Sequence, residues 1–352
     1  MSKTKIQSAR DALHAKLQTA ITLELSTLPP YLTAYFSICP KTNIKAVNAI
    51  RSVFMEEMLH LCLAANVLVA IGGKVTFTKD NLPKYPCALG FKGREFYIDL
   101  ARFSKQSVNT FRRIELPDYM PPLDESLHVK EDVNVAGYSI GEFYNTILAE
   151  LDALHELCET HDEPLFVKDA SQQITETYFW RGGGKPVAVT DLTSAHKALN
   201  EIIEQGEGAG VSLYDEDDVE FGQTRELAHF FKFNEIYYEQ EYNDDDDPLK
   251  PPTGKRFAVS YGEVYPVKSN CKQDDFVNNK DLALLNIKFN SAYTLMLQQI
   301  EDAYAGNPHV LYNAIMNGMH DLTPIAQTMA KMKINPEDPQ SETGAPSFEW
   351  VE

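Results

Sequence analysis

The sequence is short of positive charge and of cysteine. Its 32 lysines and arginines face 51 aspartates and glutamates, which gives a formal net charge of −19. Such a surface repels nucleic-acid phosphates and anionic membranes, so we expect neither as a partner. The five cysteines are odd in number and widely spaced. This usage predicts reduced thiols, with no disulfide framework and no cysteine-rich zinc site.

Long apolar runs and targeting signals are also missing. No run approaches the roughly 18 apolar residues that a membrane-spanning helix requires. The first residues lead directly into an amphipathic pattern and lack the apolar core of a signal peptide. We therefore expect a cytoplasmic protein. With 352 residues, 43% of them hydrophobic, the chain can bury a sizeable core.

What the sequence does contain is an acid and an imidazole on one apolar helix face. Phe54, Leu61 and Ala64 recur at helical spacing, and Glu57 and His60 lie on the same stripe, three residues apart. A carboxylate on a core-facing stripe is costly unless it is paired, protonated or bound to a metal. A nearby imidazole nitrogen beside a carboxylate oxygen suits iron, manganese or zinc.

A second pair of this kind, Glu226 and His229, occurs far downstream. Two Glu-x-x-His pairs, with one glutamate from each of two further helices, are typical of a dinuclear carboxylate site in a four-helix bundle. Composition alone gives about one such pair by chance. The copy at Glu125 lies in a proline-rich stretch without helical periodicity, and we interpret it as accidental. Two buried His–Glu hydrogen-bonded pairs without metal remain the structural alternative.

Helix hairpins place the acidic groups at matching heights. Glu24 lies about 14 residues before the turn between helices predicted at 5–38 and 44–71, and Glu57 about 14 after it. Glu204 and Glu226 have a similar relation in helices predicted at 190–208 and 222–242. The candidate metal ligands are therefore Glu24, Glu57, His60, Glu204, Glu226 and His229, with Glu142 and Glu207 as additional ligands or outer-shell groups.

The rest of the chain is predicted to surround these four helices. Residues 74–137 have short strand-like runs and a short helix between proline- and glycine-bearing loops, so we predict an insertion. Extra helices are expected at 138–160, 281–305 and 309–332, and a tail at 333–352. The glycines at 182–184 lack the spacing of a phosphate-binding loop and indicate a flexible surface loop. We predict one mainly α domain over residues 1–332, a four-helix bundle with additional helices and a loop- and β-containing insertion.

Several stretches resemble a known family. They are residues 23–32, 56–61, 140–144 and 204–208, together with Asn66 and the turn at 71–73. Together they resemble the ferritin-like domain of the iminophenyl-pyruvate dimer synthase type, which is found in bisindole pigment and alkaloid pathways. The resemblance covers most of residues 5–240 and implies a ferritin-like fold and a role in secondary metabolism. Family members with the coupling activity are much longer, so we expect this chain to correspond to their ferritin-like part standing alone.

These observations lead to one leading hypothesis and two alternatives. The leading one is a non-haem dinuclear iron oxidase or oxygenase that uses O₂ and acts on a small, amino-acid-derived metabolite. Its cofactor would be two iron ions, with manganese or a mixed Fe/Mn pair as alternatives. The same site would also suit a non-catalytic iron-binding or storage protein, and a third interpretation is a metal-free helical scaffold. We expect a small-molecule substrate, with a homodimer as the candidate assembly.

Overall fold

The computed structural model describes residues 2–89, 96–120, 123, 139–167, 170–179, 182–208, 210–215 and 225–352. The accidental pair at Glu125 lies outside these residues. The helices within them are α1 (Ser2–Ser37), α2 (Ile44–Ala70), α3 (Lys105–Ile114), α4 (Ile140–Thr160), α5 (Leu192–Glu207), α6 (His229–Tyr238), α7 (Lys280–Tyr304) and α8 (Val310–Met329), with 3₁₀ turns at Ala170–Gln172 and Gln273–Phe276. Strands β1 (Cys87–Leu89) and β2 (Phe96–Ile98) pair antiparallel, as do β3 (Tyr214–Asp215) and β4 (Glu226–Leu227). The mainly α architecture is as predicted.

Four helices close into a ring. α1 packs against α2 and α4, and α5 packs against the same two helices from the other side. The bundle is therefore α1, α2, α4 and α5, whereas the predicted bundle used a helix at 222–242 in place of α4. That helix, α6, begins only at His229 and packs on α2, α3 and α5. Residues 226–227 pair with β3 instead of extending the helix.

Two consecutive prolines lie inside α1 without ending it. Pro29 and Pro30 have no N–H to donate to carbonyls one turn earlier, so two helical hydrogen bonds are missing there. The carbonyl of Ser26, which Pro30 leaves without its helical partner, accepts a 2.7 Å hydrogen bond from the Tyr85 hydroxyl. The insertion thus supplies the donor that the helix lacks, and α1 continues to Ser37.

The most apolar helix is α2, which begins after Asn43 and ends before Gly72. By length and average composition it could cross a membrane, but 94% of its most apolar window is buried in the fold. This is the burial of a core helix, and it agrees with the packing of α2 against α1, α5 and α6.

The glycines at 182–184 and the last 20 residues both differ from prediction. Gly183 has φ of 73°, and a Cβ there would lie 2.6 Å from the backbone oxygen of Met55, so this loop packs directly on α2. Residues 333–352 also join the core. Ser347 accepts hydrogen bonds of 2.9 Å from the amides of Asn286 and Asn290 on α7. Buried amides need hydrogen-bond partners, and these hydrogen bonds hold the C-terminal segment against α7.

Candidate metal centre

The antiparallel packing of α1 and α2 brings the side chains of Glu24, Glu57 and His60 together. An oxygen of Glu24 lies 3.6 Å from Nδ1 of His60, and an oxygen of Glu57 lies 3.9 Å from the same nitrogen. Each of the three residues is at most 2% exposed. The antiparallel hairpin therefore creates a buried group of two carboxylates and one imidazole.

A second group shares Glu57 with the first. Nδ1 of His229, the first residue of α6, lies 3.0 Å from a Glu57 oxygen and 3.3 Å from a Glu115 oxygen. The rings of His60 and His229 stack with centroids 5.3 Å apart. Two ligand groups result, Glu24/Glu57/His60 and Glu57/Glu115/His229, and within each the donor atoms lie within 4.8 Å of one another.

Glu115 is the member of this cluster that sequence reasoning missed. It caps the C-terminal end of α3, and its carboxylate accepts a hydrogen bond from the Tyr31 hydroxyl. An acidic side chain is unfavourable at a helix C-terminus, where the macrodipole is negative. The available signal was therefore an acid at the end of an amphipathic helical stretch, directly before Leu116 and Pro117.

Glu204 and Glu226 belong to neither group in the described part of the chain. Glu226 lies in β4, its side chain is 50% exposed, and an oxygen lies 2.9 Å from the ammonium of Lys232. Glu204 is half-buried on α5. Because residues 226–227 form β4 where a helix was predicted, Glu226 and His229 do not share a helix face. Glu115, and not Glu204 or Glu226, joins Glu57 beside Nδ1 of His229.

The two outer-shell candidates have structural contacts. Glu142 and Ser139 form a reciprocal capping box at the start of α4, with hydrogen bonds of 2.9 and 3.0 Å. Glu207 accepts a 2.9 Å hydrogen bond from the N–H of Gly141, which ties the end of α5 to the start of α4. Burial raises the pKa of Glu207 to about 7. Neither acid belongs to the two ligand groups.

Each histidine is held through Nε2, the ring nitrogen that faces away from the ligand groups of Glu24, Glu57 and Glu115. Nε2 of His60 lies 2.9 Å from the side-chain oxygen of Gln205, and Nε2 of His229 lies 2.8 Å from an oxygen of Glu56. With Nε2 donating these bonds, each Nδ1 is the nitrogen that would offer its lone pair to a metal ion once its proton is released. This is the arrangement of a metal-ligating histidine.

Lys232 holds the carboxylate of Glu56 in place beside His229. Its ammonium lies 2.8 Å from both oxygens of Glu56 and 2.7 Å from the hydroxyl of Ser52. Burial alone would raise the pKa of Glu56, but the charge of Lys232 and the hydrogen bond from His229 bring that pKa well below its ordinary value. A cleft of about 250 Å³ borders Glu56, Lys232 and Gln205.

The inner cluster holds protons when no metal is bound. Burial and the charges of Glu115 and Glu24 raise the pKa of Glu57 to about 8. Burial alone would lower the pKa of His229, but Glu115 and the other adjacent carboxylates raise it well above its ordinary value. Divalent cations would displace these protons and neutralise the buried charge.

The donor set fits a pair of metal ions. Ligand atoms bound at about 2.1 Å and at right angles lie about 3 Å apart. The neighbouring nitrogen and oxygen atoms of the cluster are 3.0 to 3.9 Å apart. Three carboxylates and two imidazoles are the mixed donors that iron, manganese and zinc accept.

Comparison with known proteins defines the class. The ferritin-like family profile matches residues 17–238, and the chain belongs to this family. A crystal structure of a ferritin-like protein from Caulobacter vibrioides shares the fold, with a TM-score of 0.60 at 20% identity over 96% of this chain and 97% of that one. Among curated proteins, the chain is similar to dichlorochromopyrrolate synthase of Lentzea aerocolonigenes, at 23% identity over all of this chain. It spans 37% of the length of that relative.

Proposed function

We propose that this protein is a non-haem dinuclear iron oxidase or oxygenase that acts on a small, amino-acid-derived metabolite in secondary metabolism. The observation that carries the proposal is the position of Glu57, which belongs to both buried ligand groups. One carboxylate common to two sets of donors is what a pair of adjacent metal ions requires.

The similarity to a synthase supports an enzymatic role. Dichlorochromopyrrolate synthase is named for a reaction, and the aligned part of it covers the whole of this chain. Its identity of 23% leaves the substrate of this protein to experiment. The resemblance noted in the sequence supports amino-acid-derived compounds as the first class to test.

The residues of the cluster have separable roles in this proposal. Glu24, His60, Glu115 and His229 would each contact one ion through the atoms that face Glu57. Such a pair of irons supplies two electrons for the reduction of O₂.

Hydrogen bonds from outside the cluster orient its carboxylates. The hydroxyl of Thr27 donates to Glu57 at 2.9 Å, that of Tyr144 donates to Glu24, and Tyr31 holds the second oxygen of Glu115. Each hydroxyl leaves the other carboxylate oxygen directed at a histidine. Burial of the cluster excludes bulk water and strengthens these interactions.

Metal analysis tests the site. Protein loaded anaerobically with Fe(II) and freed of excess metal should retain about two equivalents per chain. Glu57→Ala should lose both ions and His229→Ala one of them, whereas Glu150→Ala, at a half-exposed carboxylate, should retain both. Loading with Mn(II) and with Fe/Mn mixtures identifies the preferred pair. Wild-type protein that retains no metal after loading would reject the proposal.

Exposure of the loaded protein to O₂ separates an enzyme from a storage protein. We expect O₂ consumption to rise when candidate amino acids or keto acids are added, with a product detectable by mass spectrometry. A storage protein would instead oxidise many Fe(II) ions per chain without an organic substrate and assemble into a large cage. Mass photometry of the purified protein measures that assembly directly.

A further inference from the structure

The two histidines of the cluster differ in what holds them. The Nε2 of His229 donates to a carboxylate, Glu56, whereas the Nε2 of His60 donates to a neutral amide, Gln205. Both contacts are buried and of similar length, 2.8 and 2.9 Å. The difference is therefore one of charge and not of distance.

Further hydrogen bonds fix the orientation of Glu56 and of Gln205. Lys232 binds both oxygens of Glu56, which keeps that carboxylate on the outer side of His229 even though it adjoins Glu57 in sequence. The amide nitrogen of Gln205 donates to an oxygen of Glu201 at 2.9 Å, which directs the amide oxygen at His60. Neither Glu56 nor Gln205 can turn away from its histidine without breaking a buried hydrogen bond.

We infer that the metal position beside His229 binds its ion more tightly than the position beside His60, with Glu56 and Gln205 as the positioning residues that create the difference. A hydrogen bond to a charged acceptor is stronger than one to a neutral acceptor and gives the imidazole more electron density. His229 is therefore the better donor, and the position beside it fills first. The inference rests on the proposed metal centre.

Titration with Co(II), followed by calorimetry and by the visible spectrum of the bound ion, tests the inference. Wild type should bind two ions in two steps. Glu56→Gln should weaken the tighter step about 10- to 100-fold and leave the weaker step unchanged. Gln205→Leu should weaken only the weaker step. His229→Ala should abolish the tighter step, which assigns that step to its position.

A matched control and a second variant complete the design. Asp152→Asn also changes a carboxylate into an amide beside a histidine Nε2, that of His196 at 2.6 Å, but at the protein surface. It should change neither step. If Glu56→Gln fails to fold, the double variant Glu56→Gln/Lys232→Met takes its place in the titration. It also removes the buried ammonium of Lys232, which loses part of its pairing when Glu56 is neutral.

The outcomes separate the inference from the metal centre itself. Two equal steps in wild type, or a Glu56→Gln variant that weakens both steps alike, would overturn the inference while leaving the centre in place. Wild-type protein that binds no Co(II) would remove the centre and the inference together.

Discussion

Replacing Glu57 with glutamine should make the metal-free protein more stable at neutral pH while it abolishes metal binding. In the metal-free cluster this carboxyl lies among Glu24, Glu115 and two imidazoles, with almost no exposure to water. Burial and the two neighbouring acids raise its pKa from 4.5 to about 8. Glutamine has the same shape as the protonated acid and carries no titrating proton.

The direction and size of the effect follow from proton linkage. Between pH 4.5 and about 8 the folded protein keeps a proton on Glu57 that the unfolded chain has released. Stability must therefore fall as pH rises through this window, by about 1.4 kcal/mol per pH unit for one proton. The full window corresponds to at most about 5 kcal/mol. The variant should lack this fall, so its advantage over wild type should grow with pH.

Urea unfolding of chelator-treated protein, measured by circular dichroism, tests this reasoning. Between about pH 5.5 and about pH 7.5, the difference in the free energy of unfolding between variant and wild type should grow by about 2 to 3 kcal/mol. Glu150→Gln, a change at the half-exposed partner of Lys16, should follow the wild-type profile. Parallel profiles for Glu57→Gln and wild type would refute the argument that this carboxyl carries the proton.

Three further substitutions test the fold that supports the site, each by the free energy of unfolding. Tyr85→Phe leaves the buried carbonyl of Ser26 without its donor and should cost about 1 to 3 kcal/mol, whereas Tyr97→Phe, at a side chain 68% exposed, should be neutral. Gly183→Ala should cost about 1 to 3 kcal/mol or more, because a Cβ is opposed both by the φ of 73° and by the 2.6 Å approach to the α2 backbone. An unchanged stability would mean that the loop does not pack there. Phe348→Ala removes a buried ring that packs against Phe289 of α7, and should cost about 3 to 5 kcal/mol. A loss below about 1 kcal/mol would show that the C-terminal segment is loosely held.

Helical periodicity in the sequence was sufficient to predict much of the fold. Apolar spacing and turn residues gave α1, α2 and α5 to within a few residues of their observed bounds. The ferritin-like resemblance is confirmed by the match over residues 17–238. The hairpin argument also placed Glu24, Glu57 and His60 at one height, because rise per residue is a local property of a helix.

The same argument failed for the second hairpin because its loop forms structure of its own. The pairing of Asp215 with Glu226 in a short sheet delays the start of α6 to His229. A Glu-x-x-His spacing has its helical meaning only where the backbone is helical. The pattern therefore identified the histidine of this pair and not its acidic partner.

The amino-acid sequence by itself determined which helices form, which of their faces are apolar, and that acids and imidazoles lie on those faces. Only the tertiary structure decided that Glu115 meets His229 and that Glu56 and Gln205 hold the two imidazoles. The physical reason is that helix periodicity acts over a few residues, whereas Glu115 and His229 are 114 residues apart and meet through the packing of α3 against α6.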